Sequence, residues 1–352
     1  MEVEMDTIGL KFYVNNFWGE YSDVENFRIL TDRLRKIRYC FNFREKDSEV
    51  KFVLSYPRYF AQTNAYLIQS SKECMEVNRG FILDILDEQD DDFINWFYDK
   101  IDIYLIRVDI PFTYLMEEYE SFNDYENIFK MLSSVFREKN KAGKSKSVSD
   151  FNSKKIETLS INKSNNKAQG NSGITIYNQN AKIEDIYPRT YNQAINDYPD
   201  LKRRIRIEFF KRINRKPFTP EEFMNFNIYG YYINLFVDSL LDNLFDKDIL
   251  DKIYNEKAEM LADLLLRTNE KGRINYQNFV IKYIDEIWDY EILRRALRKV
   301  INNDNSYYQA CKSVRGILEN EEDTTGIKYF GIKRIIESME RMLINTKRKV
   351  GR

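Results

Sequence analysis

The string Arg204-Ile205-Arg206-Ile207-Glu208-Phe209-Phe210 alternates charged and apolar side chains up to Phe209. A strand sends successive side chains to opposite faces. Such a string therefore predicts a strand with one apolar face and one face carrying Arg204, Arg206 and Glu208. A second string, Tyr104-Leu105-Ile106-Arg107-Val108-Asp109-Ile110, sets an acid between β-branched neighbours, and a third, Ile174-Thr175-Ile176-Tyr177, alternates in the same way. Together they predict strands of one sheet, with Asp109 and Glu208 on inward-facing positions and Tyr177 on a neighbouring strand. Asp is disfavoured inside strands, and a carboxylate kept at a strand centre needs a partner or an ion. The bland alternatives are an exposed Arg107/Asp109 pair and a solvated face of Arg206 and Glu208.

Residues 10–14, 38–44, 50–56 and 65–69 read as further short strands, and 23–37, 81–100 and 125–137 have helical spacing. Pro111 is expected to end the strand over 104–112 or to place it near an edge. The fold class predicted is α+β: a domain over 1–217 on a mainly antiparallel sheet in two sheet-containing halves. Within it, 138–153 reads as a flexible Lys/Ser-rich loop, followed by a hairpin of 156–161 with 174–177. At Thr219-Pro220-Glu221-Glu222 the period changes. Thr as N-cap, Pro at N1 and Glu at N3 form a helix start with a capping box. From there to 346 the apolar spacing is helical, which predicts an all-helical domain over 218–352, a DNA-binding or oligomerisation module. In it Arg294, Arg295, Arg298 and Lys299 share a helix face ahead of a turn at 302–306. That pattern suits a helix-turn-helix on DNA, or an ordinary surface helix.

The chain has no histidine. Hydrolytic or transfer chemistry must then proceed without imidazole, and a metal site must use oxygen ligands, which suits Mg²⁺ or Mn²⁺. Net charge is −1, yet Lys202, Arg203, Arg204, Arg206, Lys211 and Arg212 crowd one stretch, where phosphate contacts would supply salt-sensitive affinity for DNA. Cys40, Cys74 and Cys311 are scattered and include no CxxC, so they read as reduced, buried thiols. The N-terminus is acidic with no apolar leader, and no run approaches the ~20 apolar residues of a membrane span. A soluble, cytoplasmic protein without membrane partners is expected.

Tyr177 is followed by Asn178, Gln179, Asn180 and Lys182, a polar patch where a phenol can meet phosphate. A tyrosine with a pKa near ~10 needs activation by a metal or a lysine, and Lys182 is the nearest lysine. Two acids holding a hard cation beside a phenol are the groups required for metal-assisted phosphodiester cleavage through a phosphotyrosine. Tyr187 and Tyr191 are alternative nucleophiles.

The ordered set Ile106-Arg107-Val108-Asp109, Ile176-Tyr177-Asn178-Gln179 and Arg206-Ile207-Glu208-Phe209 resembles the rolling-circle replication initiators of the plasmid Rep_trans and filamentous-phage gene II types. The resemblance covers about residues 100–217, with a further match at Tyr329-Phe330-Gly331. It departs from the family at Gln179, where lysine is usual, and at Lys182, where an acid is common. It implies an enzyme that nicks and rejoins DNA at an origin in the cytoplasm of a bacterial host. Asp109 and Glu208 would bind Mg²⁺ or Mn²⁺, and Tyr177 would form a 5′-phosphotyrosine. Origin DNA, a host helicase and a second copy of the chain would be partners. A non-catalytic DNA-binding protein of a phage or plasmid and a structural protein of a mobile element are the competing expectations.

Overall fold

The computed structural model describes residues 3–17, 19–139, 147–148, 158–162, 172–268, 274–321 and 327–350. The loop expected over 138–153 lies almost wholly outside them. The fold is a mixed one, with an antiparallel sheet and many helices. Its strands are β1 (Thr7–Val14), β2 (Cys40–Lys46), β3 (Glu49–Ser55), β4 (Ile101–Leu115), β5 (Ser147–Val148), β6 (Thr158–Asn162), β7 (Ser172–Asn178) and β8 (Arg204–Arg212). Two compact units are built from interleaved segments: Met1–Leu115, Asn166–Asp238 and Leu343–Arg352 form one, and Met116–Asn165 with Ser239–Met342 form the other.

In the first unit β2-β3-β1-β4-β8-β7 lie side by side, each antiparallel to its neighbour. Ile8, Leu10, Phe12, Phe52, Leu54, Ile103, Leu105, Ile205, Ile207 and Phe209 are buried on one face. Period-two apolar patterning is what a half-covered antiparallel sheet needs. Among the covering elements, Ser71–Leu86 is started by a capping box of Ser70 and Glu73, and Asp91–Lys100 by the Asp90 side chain on the Phe93 amide. The single helix expected over 81–100 is thus two, separated by the acidic turn at 87–90.

The capping box at Thr219 and Glu222 forms as read from sequence, but it starts a short helix, Pro220–Asn225, ahead of Ile228–Leu244. The break at Phe226 is held by the buried Asn78, whose Nδ2 donates to the carbonyls of Phe223 and Phe226 at 3.0 Å each. Residues 65–69 form no strand; Ile68 makes one isolated bridge to Met5. Nor does Pro111 end its strand, since β4 runs on to Leu115. β1 stops opposite Asp109, so Pro111 needs no amide there, and its carbonyl accepts from the Glu4 amide at 3.0 Å.

One irregularity decides which side chains reach the other face of the sheet. Gly9 pairs with Arg107 and Leu10 with Leu105, leaving Ile106 as an extra residue in β4. Before this bulge Ile101, Ile103 and Leu105 point into the core; after it Val108, Ile110 and Phe112 do. The added residue shifts the phase by one, and only through it do Arg107 and Asp109 join the face of Glu208. Glycine is required here: a Cβ on Gly9 would lie 2.9 Å from Arg107 Cβ and 3.2 Å from Ile106 Cγ1.

The second unit packs the helices Glu126–Lys139, Lys247–Arg267, Tyr290–Val300 and Asp304–Glu321. Tyr254 donates to Asp289, which also caps Tyr290–Val300. The basic face noted from sequence is paired within this unit. Arg294 and Arg295 meet Glu291, Arg298 meets Asp304 and Lys299 meets Glu259. Among the described residues no helix is long and apolar enough to cross a membrane. Cys40, Cys74 and Cys311 are free and buried.

Candidate functional site

Register places the sequence-selected residues in rows across three strands. Thr113, Arg206 and Tyr177 lie opposite one another on β4, β8 and β7; Pro111, Glu208 and Thr175 form the next row. Asp109 pairs with Phe210 one row further on. Asp109, Glu208 and Tyr177 therefore share one face, with Arg206 beside Tyr177 in its row.

Arg206 is 2% exposed, and it organises the cluster. Its Nε lies 3.3 Å from Glu208 Oε1, its Nη2 3.2 Å from Asp6 Oδ2 and its Nη1 3.8 Å from Glu4 Oε2. Glu4 is fully buried, and its Oε2 accepts from Thr113 Oγ1 at 2.9 Å while Oε1 lacks a hydrogen-bond partner. Burial, only partly offset by Arg206, pushes its carboxyl up to about 7. Asp6 and Glu208 behave as one pair. Burial raises both, but Arg206, Lys182 and a hydrogen bond with Glu208 hold Asp6 below its ordinary value. Glu208 stays above its own, raised by burial and by the Asp6 charge. Two neighbouring carboxyls that cannot both ionise cheaply share a proton in this way.

The Tyr177 hydroxyl donates to Glu208 Oε1. Burial, then the Glu208 charge, keeps the phenol well above its ordinary value, so it holds its proton. Lys182, on the helix Gln179–Ile186, reaches both partners: its Nζ is 3.9 Å from Glu208 Oε1 and 3.9 Å from the Tyr177 ring centroid. Asp109 accepts two hydrogen bonds from Arg107, at 2.7 Å and 2.6 Å. Burial outweighs that pairing, and with Glu208 and Asp6 nearby its carboxyl rises to about 7.

Beside the cluster the sheet face opens into a cleft of about 860 Å³, lined by Arg44, Lys51, Arg107, Phe210 and Arg212 among others. Lys51 pairs with Glu49, whereas exposed Arg44 and Arg212 show no ion pair among the described residues. Arg107 stacks over Phe210 at 4.9 Å. Cations beside an aromatic surface suit a phosphate-bearing ligand.

Not every expected DNA contact reaches this surface. Arg204 is buried, donating to Asp200 and to the Ala65 carbonyl, and Arg206 neutralises the acids; neither faces solvent. Lys202 and Arg212 are exposed, and Arg203 and Lys211 half-buried. Of the alternative tyrosines, Tyr187 lies under Arg58 and Tyr191 donates to Asn180. Gln179 is a buried clamp on the Asn64 carbonyl. Sequence reading missed Glu4 and Asp6. Their signal was the alternation of acids with Val3 and Met5, both now buried.

No family profile and no solved structure matches the chain. A curated relative, the probable mitochondrial NADPH:adrenodoxin oxidoreductase of Saccharomyces cerevisiae, is 25% identical over 219 residues, 54% of this chain and 43% of the relative. The chain thus spans less than half that protein's length. The match corrects the function and enzyme class implied by the resemblance, because the named relative is an oxidoreductase and not an origin-nicking DNA strand transferase. It corrects the expected Mg²⁺ or Mn²⁺ as well. Among the described residues no three acids or thiols are grouped to hold an ion, and the Arg206 guanidinium lies among Glu4, Asp6 and Glu208.

Proposed function

We propose that this chain captures a phosphate-bearing nucleotide ligand in the cleft of its sheet and exchanges a proton with it through the adjoining acid cluster. The observation that carries the reading is the Arg107 guanidinium, which lines the cleft and also holds Asp109, a buried carboxyl raised to about 7. An acid that titrates near neutrality suits general acid–base work. Tyr177, kept protonated, is a donor and orients Glu208; Arg206 holds the acids together.

Two sources of nucleotide phosphate have support. DNA is the partner expected from the sequence. NADPH appears in the name of the matched relative. The chain does not offer the usual dinucleotide cradle. Its 12 glycines include no G-x-G-x-x-G, and the sheet of the first unit pairs antiparallel rather than around a βαβ turn. The resemblance to replication initiators then concerns scaffold and not reaction, with a catalytic-type domain over 1–217 and a helical one over 218–352. Buried thiols suit a cytoplasmic setting.

The test is titration of the full chain with a labelled single-stranded oligonucleotide in one arm and NADPH in the other, at low salt. Arg44→Ala and Arg212→Ala are each expected to weaken the ligand that binds by roughly tenfold. Failure of both ligands to bind, or binding indifferent to both substitutions, refutes the reading.

A further inference from the structure

A second pocket lies beyond the acid cluster, in the same unit. It encloses about 450 Å³ and is lined by Arg38, Tyr39, Arg58, Ile183, Tyr187 and Arg189 among others. A volume of that order holds a small ligand.

Its charge is one-sided. Arg38 and Arg189 are exposed and show no acid or hydrogen-bond acceptor among the described residues. Arg58 is half-buried, and burial lowers its pKa although the Asp6 charge opposes this from outside the pocket lining. It also lacks a hydrogen-bond acceptor there, and its guanidinium lies 4.3 Å from the Tyr187 ring centroid and 6.0 Å from that of Phe41. A half-buried guanidinium held against aromatic rings with no protein acceptor keeps its donors free for an anion in the pocket. Its forked donors match the oxygens of a phosphate group. The rest of the lining supplies Ile183, Tyr187 and Pro188 as an apolar wall. The wall is firm: Ile183 is buried in a small core with Ala65, Ala194 and Leu201, against which Tyr187 packs.

We infer that this pocket binds a small phosphate monoester with an apolar or aromatic body, of the size of a nucleoside monophosphate, with Arg58 as the anchoring donor and Arg38 and Arg189 closing on the anion. This does not depend on the cleft reading, since none of the three arginines lines the cleft.

The experiment is isothermal titration of the full chain with adenosine 5′-monophosphate, inorganic phosphate and adenosine, each alone. The monophosphate is expected to bind this pocket tighter than inorganic phosphate does, with adenosine weakest, and any component lost in Arg44→Ala belongs to the cleft. Arg58→Ala should weaken it by tenfold or more, and Arg58→Lys should recover part of the loss. Arg189→Ala, an exposed position that leaves the core untouched, should cost a few-fold and keeps the test open if Arg58→Ala unfolds. Arg44→Ala should leave this binding unchanged. Absence of monophosphate and phosphate binding at low salt overturns the inference. So does binding that Arg58→Lys and Arg189→Ala leave as in the parent, or that Arg44→Ala abolishes.

Discussion

Glu4 offers a quantitative test of the acid cluster. It is wholly buried, bonded to Thr113 and 3.8 Å from Arg206, and its carboxyl rises from 4.5 to about 7. The sign follows from linkage. A carboxyl whose folded value exceeds its unfolded one contributes stability that is complete below the unfolded value and is lost as pH rises through the folded one. At roughly 1.4 kcal/mol per pH unit, the window from 4.5 to about 7 is worth about 3 kcal/mol. Glu4→Gln replaces the protonated acid with a near-isostere that cannot ionise. Its advantage over the parent should grow from about 1 kcal/mol at pH 5 to about 3 kcal/mol at pH 8. Urea unfolding followed by far-ultraviolet circular dichroism at both pH values measures it, and the comparison cancels groups common to both proteins. A variant that is less stable than the parent, increasingly so at pH 8, would show that Arg206 keeps Glu4 charged. The account of the cluster would then be wrong.

Three further outcomes are expected. Anion affinity in the cleft should fall as pH rises through about 7, because ionised Asp109 neutralises Arg107, and Asp109→Asn should flatten the profile; titrations across that range read it directly. Gly9→Ala, which sets a Cβ 2.9 Å from Arg107 Cβ, should cost roughly 1–3 kcal/mol, seen as a lowered urea midpoint with an unchanged slope. Asn78→Ala should cost about 3 kcal/mol through two orphaned carbonyls and a lost acceptor for Tyr56, and thermal melts check this.

The strands were legible wherever charge and apolar residues alternate, which is why 204–210 read correctly, and Thr219-Pro220-Glu221-Glu222 announced its helix because a capping box is a local device. Asp109, Glu208 and Tyr177 do come to one face, yet plain alternation along β4 puts Asp109 in phase with Leu105, which is core. That placement depends on a bulge that sequence spacing alone does not reveal. The roles of Arg204 and Arg206 were also hidden. A basic run looks the same whether it meets phosphate or buried acids, and the acids that claim Arg206 come from the far N-terminal segment. Helix breaks at 87–90 and 226–227 escaped for a related reason, as the second is fixed by Asn78, distant in sequence.

The extra residue in β4 has a wider meaning. Remove Ile106 and the downstream half of the strand would rotate by half a turn, burying Arg107 and Asp109 among aliphatic side chains and setting Val108 and Ile110 in water. What separates a chemically armed surface from an inert one is therefore parity. Chains of this fold would be held to the extra residue at this point, and to the glycine opposite it, whatever the other neighbouring side chains.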